Sequence, residues 1–155
     1  MAKLKYAKYI ITEPKPPSAK YLEMKERQRR SGSYIESARM FSLDSSIAEG
    51  GFYTDCVWLM DKHGAEAVQT EIAHTHDFDE VLVFAGTVKG NPRELGGEIE
   101  FWLEDERYIL TKSCLIFVPS GMKHLPLLFR RIDSPIFFLT AGNDSMYTRT
   151  SGQVE

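Results

Sequence analysis

Short runs of alternating apolar and polar residues cover most of the chain from Phe41 onward. The alternation is clearest over residues 98–104, where Ile99, Phe101 and Leu103 share one face of a predicted strand and glutamates dominate the other. Turn-forming segments separate the runs and read GNPRELGG, PSGMK and RRIDSP. About eight strands without a long helix between them predict an all-β fold, a small antiparallel β-barrel or sandwich. A parallel α/β fold is excluded, because parallel strands need crossover helices.

The pattern differs over residues 1–40, which we predict to be an N-terminal arm ahead of a β-barrel domain at residues 41–155. Prolines clustered at residues 14–17 indicate an extended or turn segment. A short helix is expected after them, with Ser18 as its N-cap and Gly32 as its stop. This arm is expected to pack on its own barrel or on that of a neighbouring subunit.

Composition narrows the class of protein. The chain has 155 residues, of which 43% are hydrophobic and 26% charged, with a formal net charge of −3, so it is a globular domain with no basic excess for nucleic acid. The arginines of the predicted helix are interleaved with glutamates, which is typical of a solvated face. We expect no membrane span, because no apolar run approaches about 20 residues. Cys56 and Cys114 are too few for a disulfide scaffold, which favours a reducing, cytoplasmic location.

Three of the four histidines point to chemistry. On a strand, His74 and His76 would present both imidazoles on one face, about 7 Å apart, and Ile72 shares that face. Glu80 follows after a bend, and His124 comes directly after the turn PSGMK. Three imidazoles and one carboxylate suit one divalent transition metal ion (Fe, Mn, Ni, Co, Cu or Zn), and ligand type alone does not choose among them. In an octahedral shell, they leave two positions open, as a working site requires.

Other polar residues near these segments have weaker claims. His63 lies in a polar turn and is predicted to be a surface residue. Asp77 and Asp79 could accept hydrogen bonds from the ligand imidazoles, but a plain loop-forming role is favoured. Lys123 is expected to be solvated.

Two segments resemble the sequence motifs of the cupin superfamily. Residues 74–80 read HTHDFDE and residues 119–124 read PSGMKH, and Gly86 closes the first motif one residue early. Two glycines and one asparagine of the family pattern are replaced here, by Val68, Ser113 and Leu128. Because the glycines serve turns, their loss is expected to alter hairpins and to leave the ligands in place.

The resemblance covers about residues 50–142 and implies the cupin double-stranded β-helix. The sequence is also similar to an uncharacterised group of single-domain cupins. Many cupins are dimers that exchange N-terminal arms, so a homodimer is implied, with Trp102 as a candidate interface residue. The metal ligands implied are the four residues already singled out: His74, His76, Glu80 and His124.

The cupin fold hosts many reactions, so three hypotheses about function stay open. The first is a metal-dependent enzyme for a small oxygenated metabolite, with the metal as a Lewis acid (isomerase, lyase or cyclase) or, if it is iron, as an oxygen activator in a dioxygenase. The second is a non-catalytic metal- or metabolite-binding or sensor protein. The third is a structural barrel that merely retains its histidines. The sequence names no catalytic acid or base.

Residues that share the ligand-bearing face are candidates for a substrate pocket, although filling the core is favoured for most of them. The apolar candidates are Ile72, Leu82, Phe84, Ile116 and Val118. Polar contacts could come from Tyr53, Tyr108 or Arg130, which nothing in the sequence singles out.

Overall fold

A computed structural model describes residues 4–150 of the chain. Within this range it has a short 3₁₀ turn (Ala7–Tyr9), one α-helix and nine strands. The bounds are α1 Ala19–Ser31, β1 Tyr34–Leu43, β2 Thr54–His63, β3 Val68–Glu71, β4 Glu80–Gly86, β5 Glu94–Leu103, β6 Glu106–Lys112, β7 Cys114–Val118, β8 His124–Ile132 and β9 Ile136–Gly142. No helix in the described range is long and apolar enough to cross a membrane.

The predicted helix is confirmed with both of its end signals. The Ser18 hydroxyl accepts a hydrogen bond from the Tyr21 amide at 3.1 Å, and Gly32 adopts the left-handed conformation at φ 82°. The helix packs against its own barrel, because the Lys25 ammonium donates to the Ile35 carbonyl at 2.6 Å. The predicted domain boundary at residue 40 stays a prediction, and β1 crosses it.

The strands form two antiparallel sheets. Sheet one has the order β1-β2-β9-β4-β7, and sheet two has the order β3-β8-β5-β6. Strands β2 to β9 supply four strands to each sheet in the interleaved order of a jelly roll, the architecture to which cupins belong. The predicted all-β fold, a cupin double-stranded β-helix with a helix-bearing arm, is therefore confirmed. Strand β1 extends sheet one by pairing with β2.

The core lies between the two sheets. In β4, Leu82 and Phe84 point inward opposite Ile116 and Cys114 of β7. Phe84 stacks on Phe138 of β9 at a ring-centroid distance of 4.6 Å. Of the predicted pocket residues, Leu82, Phe84 and Val118 lie in this core, and Ile116 packs against it.

The outer face of sheet one is also apolar, and we call it the apolar face. Its residues alternate with core residues along β2, β4, β7 and β9, and none of them is charged. Leu115 and Phe117 are 62% and 56% exposed. Strands that are apolar on both sides are typical of sheets with both faces covered. The face comprises Cys56, Trp58, Met60, Val81, Val83, Leu115, Phe117, Phe137, Leu139 and Ala141.

Ser113 stands where the cupin sequence pattern has a glycine, and its side chain makes two hydrogen bonds. Its hydroxyl accepts a hydrogen bond from the Gly86 amide at 2.9 Å and donates to the Pro92 carbonyl at 2.7 Å. The side chain thus joins the end of β4 to the loop before β5.

Candidate metal centre

The four predicted ligands meet at one end of the sandwich. Glu80 is the first residue of β4 in sheet one, and His124 is the first residue of β8 in sheet two. His74 and His76 lie beyond the end of β3, and His74 forms an isolated antiparallel bridge with His124. The histidine pair is therefore held by pairing to β8 and does not lie inside a regular strand.

The four side chains are close together and almost fully buried. His74, His76, His124 and Glu80 are 2%, 1%, 0% and 4% exposed, respectively. The Glu80 Oε2 atom lies 2.9 Å from His76 Nε2 and 3.1 Å from His124 Nε2. The ligand atoms of the three histidines lie within 4.8 Å of one another and could hold a metal ion.

Backbone carbonyls orient the three imidazoles. The Nδ1 atoms of His74, His76 and His124 lie 2.8, 3.0 and 3.0 Å from carbonyl oxygens of nearby residues. A carbonyl can only accept, so each Nδ1 carries the proton, and in a neutral ring Nε2 keeps its lone pair. The carbonyls belong to Ile72, Phe78 and Met122.

This tautomer assignment creates an electrostatic conflict that a cation resolves. The Nε2 atoms of neutral His76 and His124 are acceptors, and both face the same carboxylate oxygen of Glu80. Acceptors at these distances need a proton or a metal ion between them. Three nitrogen donors and one carboxylate also form the donor set that suits a divalent transition metal. The residues present therefore fit such an ion.

Two observations together identify the fold. The strands have the jelly-roll order, and both motif segments bring their predicted ligands to one point. The chain has the cupin fold.

Burial and neighbouring charges set the protonation of this site. Burial lowers the pKa of His74 to about 4, against the opposing effect of its hydrogen bond to the Ile72 carbonyl. Burial would raise the pKa of Glu80, but hydrogen bonds donated by His124 and His76, once a proton on Nε2 removes the conflict, outweigh burial and hold that pKa below its usual value. At neutral pH the site thus presents an uncharged His74 and an ionised Glu80, both in the form that binds metal.

Sequence reasoning missed Tyr147, which lies in the segment after β9. Its hydroxyl donates to His74 Nε2 at 3.0 Å, and Arg149 Nε donates to the same hydroxyl at 3.0 Å. Burial raises the pKa of Tyr147 to about 12, although the Arg149 charge opposes this. The segment is held in place by the Arg149–Glu71 ion pair at 2.7 Å. Tyr147 lies beyond both motif segments. Its sequence offers only one indication of a role in the site, which is an aromatic residue in an otherwise polar segment.

Aromatic rings form one wall of the site. Phe78 stacks on the His76 imidazole at 4.0 Å with an interplanar angle of 1°. The Tyr53 ring lies 4.9 Å from that of Tyr147, and its hydroxyl pairs with Thr140 at 2.5 Å. Of the three polar pocket candidates, Tyr53 is thus beside the site. The other two contact acidic residues, Tyr108 with Glu106 and Arg130 with Glu100.

A groove of about 960 Å³ runs between α1, β3 and the segment after β9. Tyr147 and Ile72 line it, so it approaches the histidine cluster from the side of His74. Ile72 is the one apolar pocket candidate among its lining residues in the described range, and the substrate role of all five candidates stays a prediction.

Asp79 has the loop role that was favoured for it. Its carboxylate accepts from the Ser120 amide at 2.8 Å and from the Asn143 side chain at 3.1 Å. It thereby fixes the β3–β4 loop to the PSGMK turn. Asp77 and Lys123 are exposed, and His63 stacks on Tyr34 at 4.7 Å outside the cluster.

Comparison with known proteins adds little beyond the fold. No protein-family model and no curated protein matches the chain. Among solved structures, an oxalate oxidase in complex with glycolate is 11% identical, with 75% of this chain and 54% of that chain covered and a TM-score of 0.45. The Clostridium difficile EutQ protein is 11% identical, with 74% of this chain and 71% of that chain covered and a TM-score of 0.39. The S161A mutant of Bacillus subtilis oxalate decarboxylase is 16% identical, with 77% of this chain and 28% of that chain covered and a TM-score of 0.46. This chain thus spans about half the length of the oxalate oxidase.

Proposed function

We propose that this chain binds one divalent transition metal ion through His74, His76, His124 and Glu80 and uses it to act on a small oxygenated metabolite. The carrying observation is the pair of contacts between Glu80 Oε2 and two imidazole nitrogens whose Nδ1 atoms already donate to carbonyls. A bound metal would polarise a substrate oxygen as a Lewis acid or, if it is iron, activate dioxygen. The reaction class stays open among isomerase, lyase, cyclase and dioxygenase.

The surrounding residues support this role by positioning and by excluding water. The carbonyl contacts fix each ring, so the ligand nitrogens need little rearrangement to bind a metal. Burial of all four side chains lowers the local dielectric and strengthens the attraction between Glu80 and a cation. The groove beside Tyr147 gives a small molecule an approach to this end of the sandwich.

The test is the metal content of protein purified without an affinity tag or chelator. We expect one iron, manganese, nickel, cobalt, copper or zinc ion per chain, lost in a His74→Ala/His76→Ala double variant. The matched control is His63→Ala, which removes a histidine outside the cluster and should keep the metal. Absence of stoichiometric metal after reconstitution with each of these ions would contradict the proposal.

A non-catalytic metal- or metabolite-binding or sensor protein is the second candidate. The near-complete burial of the ligands and the Tyr147 hydroxyl on His74 favour it, because both restrict access to the metal. Turnover of a candidate metabolite supports the enzyme. A ligand that raises the melting temperature but is recovered unchanged supports the sensor. A purely structural barrel predicts that His76→Ala alters neither metal nor ligand binding.

We also propose that the protein is a homodimer that pairs through the apolar face. Four neighbouring strands make this face about 19 Å wide. The occupant must itself be apolar and uncharged, and a second copy related by a two-fold axis presents that same surface. Trp102 lies on the other sheet, where its indole donates to Glu100 at 3.0 Å.

Light scattering during size-exclusion chromatography tests the dimer. Phe117→Asp, on edge strand β7 of the apolar face, replaces a side chain that is 56% exposed and should convert dimer to monomer. Ile109→Asp is the control, because Ile109 is similarly exposed, at 43%, but lies on β6 of sheet two. A wild-type monomer at high micromolar concentration, or equal behaviour of the two variants, would contradict the dimer. The cytoplasmic location rests only on the low cysteine content and stays part of the proposal.

A further inference from the structure

We infer that Tyr147 is a fifth protein ligand of the metal, an inference that rests on the metal site proposed above. Tyr147 belongs to neither motif segment, and it reaches the site from the segment after β9. Its phenolic oxygen contacts the Nε2 atom of His74, just as the Glu80 carboxylate contacts the Nε2 atoms of His76 and His124.

The spacing of the donor atoms supports this role. Neighbouring ligands of an ion with bonds of about 2.1 Å lie about 3.0 to 3.4 Å apart. Glu80 Oε2 lies 2.9 and 3.1 Å from the Nε2 atoms of His76 and His124. Tyr147 Oη lies 3.0 Å from His74 Nε2. The phenol therefore has the spacing to His74 that the carboxylate has to the other two histidines.

Packing and hydrogen bonding hold the phenol at this position. The Tyr147 ring contacts the rings of Tyr53 and Phe78 at centroid distances of 4.9 and 5.9 Å. Arg149 Nε donates to the phenolic oxygen, and its guanidinium is ion-paired with Glu71. This donor remains available to stabilise a phenolate, which is a known ligand of iron in proteins.

Binding exchanges one proton for one bond. The O–H bond of Tyr147 breaks, the oxygen bonds to the metal, and the proton leaves to solvent, with no change in oxidation state. Five protein atoms would then hold the metal, one more than the motif residues supply.

The experiment compares wild type with Tyr147→Phe and Tyr53→Phe. Each protein is loaded anaerobically with Fe²⁺, its iron content is measured, and the iron is oxidised with ferricyanide, which removes one electron per iron. In wild type we expect a visible phenolate-to-Fe³⁺ charge-transfer band, and binding of Fe²⁺ should release one proton more than in Tyr147→Phe. Tyr147→Phe should retain iron but lose the band. Tyr53→Phe is the control, because it removes the neighbouring hydroxyl, which pairs with Thr140. This variant should keep the charge-transfer band.

The outcomes separate this inference from the metal site itself. Stoichiometric iron in wild type without the band, or a band that persists in Tyr147→Phe, overturns the role of Tyr147 and leaves the four-residue site intact. Wild type without iron overturns both. If Tyr147→Phe does not fold, resonance Raman spectra of wild type and Tyr53→Phe grown with ring-deuterated tyrosine test the same point. Shifted enhanced bands in both proteins show a coordinated tyrosinate other than Tyr53, and their absence overturns the inference.

Discussion

His74 and His124 exchange both of their backbone hydrogen bonds, each at 3.1 Å. Two candidate metal ligands from distant parts of the chain thus occupy one antiparallel bridge. Because the bridge uses main-chain atoms, replacing either side chain leaves the pairing that positions it. Side-chain variants of this site therefore test metal binding more directly than they test folding.

Glu80→Gln should lower both the metal affinity and the stability of the metal-free protein. The amide removes the negative charge, so affinity should fall by about 100-fold or more, a larger loss than removal of a residue behind the ligands causes. Because the pKa of Glu80 is held below its usual value, its ionised form stabilises the metal-free fold at neutral pH, and the amide loses that contribution. Calorimetric titration and urea unfolding measure the two effects. Glu98→Gln, a charge removal on sheet two, should change neither by much.

The stability of the metal-free protein should fall on acidification from about pH 6.5 to pH 4. The unfolded His74 takes up a proton below about pH 6.5, whereas the folded residue, whose pKa is about 4, does not. Its contribution is thus fully present above the unfolded pKa and is lost as pH falls through the folded one. The loss amounts to about 3 kcal/mol at most.

Urea unfolding midpoints across this pH range measure the effect, beside a His74→Gln variant. The variant should show a flatter profile between pH 6.5 and pH 4.5. Below that range protonation of Glu80 also removes stability, because its folded pKa is lowered too. Identical profiles for the two proteins would contradict the assignment to His74.

Asp79→Ala should destabilise the protein by about 1–2 kcal/mol and weaken metal binding. It removes the acceptor of the Ser120 amide and of the Asn143 side chain, and so frees the PSGMK turn that precedes His124. Asp77→Ala is the matched control two residues away. Asp77 is exposed, so its replacement should stay within about 0.5 kcal/mol of wild type. Thermal unfolding with and without metal compares them, and equal effects would show that the turn contact is unimportant.

Gly142→Ala should impair the site through a packing clash. A Cβ at Gly142 would overlap the ring of Phe78, which stacks on His76 and whose carbonyl accepts from His76 Nδ1. We expect metal affinity to fall by about 10- to 100-fold, as for other residues that orient a ligand from behind. Gly142→Ala/Phe78→Leu, which shortens the opposing side chain, should recover part of the loss if the clash is the cause.

The ligand set could be predicted because it depends on local spacing, whereas its surroundings could not. The histidines, Glu80 and the turn before His124 follow short sequence patterns that fix which side chains converge. The acceptors for the three Nδ1 atoms are backbone carbonyls, which leave no trace in residue type. Tyr147 reaches His74 only through the path of the chain after β9. The pattern of apolar and polar residues does not predict the path of that segment.

Strand β1 shows a second limit of sequence patterns. Its pairing with β2 contains two register shifts, between Glu36 and Ser37 and between Arg39 and Phe41. Each shift changes which face the following side chains occupy, so the strand has no sustained alternation to recognise. Conversely, β4, β7 and β9 are apolar on both sides, so their sequences identified strands without showing which residues face the core.

The position of Glu80 on one sheet and His124 on the other has a consequence for slow motions of the fold. An ion held by both would tie the two layers together at the end of the sandwich where the metal centre lies. The amides of His74 and His124, which close the bridge there, would then exchange with deuterium through rare opening in the metal-bound protein and through frequent local opening in the metal-free one. The metal would thus set the rate of local opening at this end of the protein, apart from any reaction it performs.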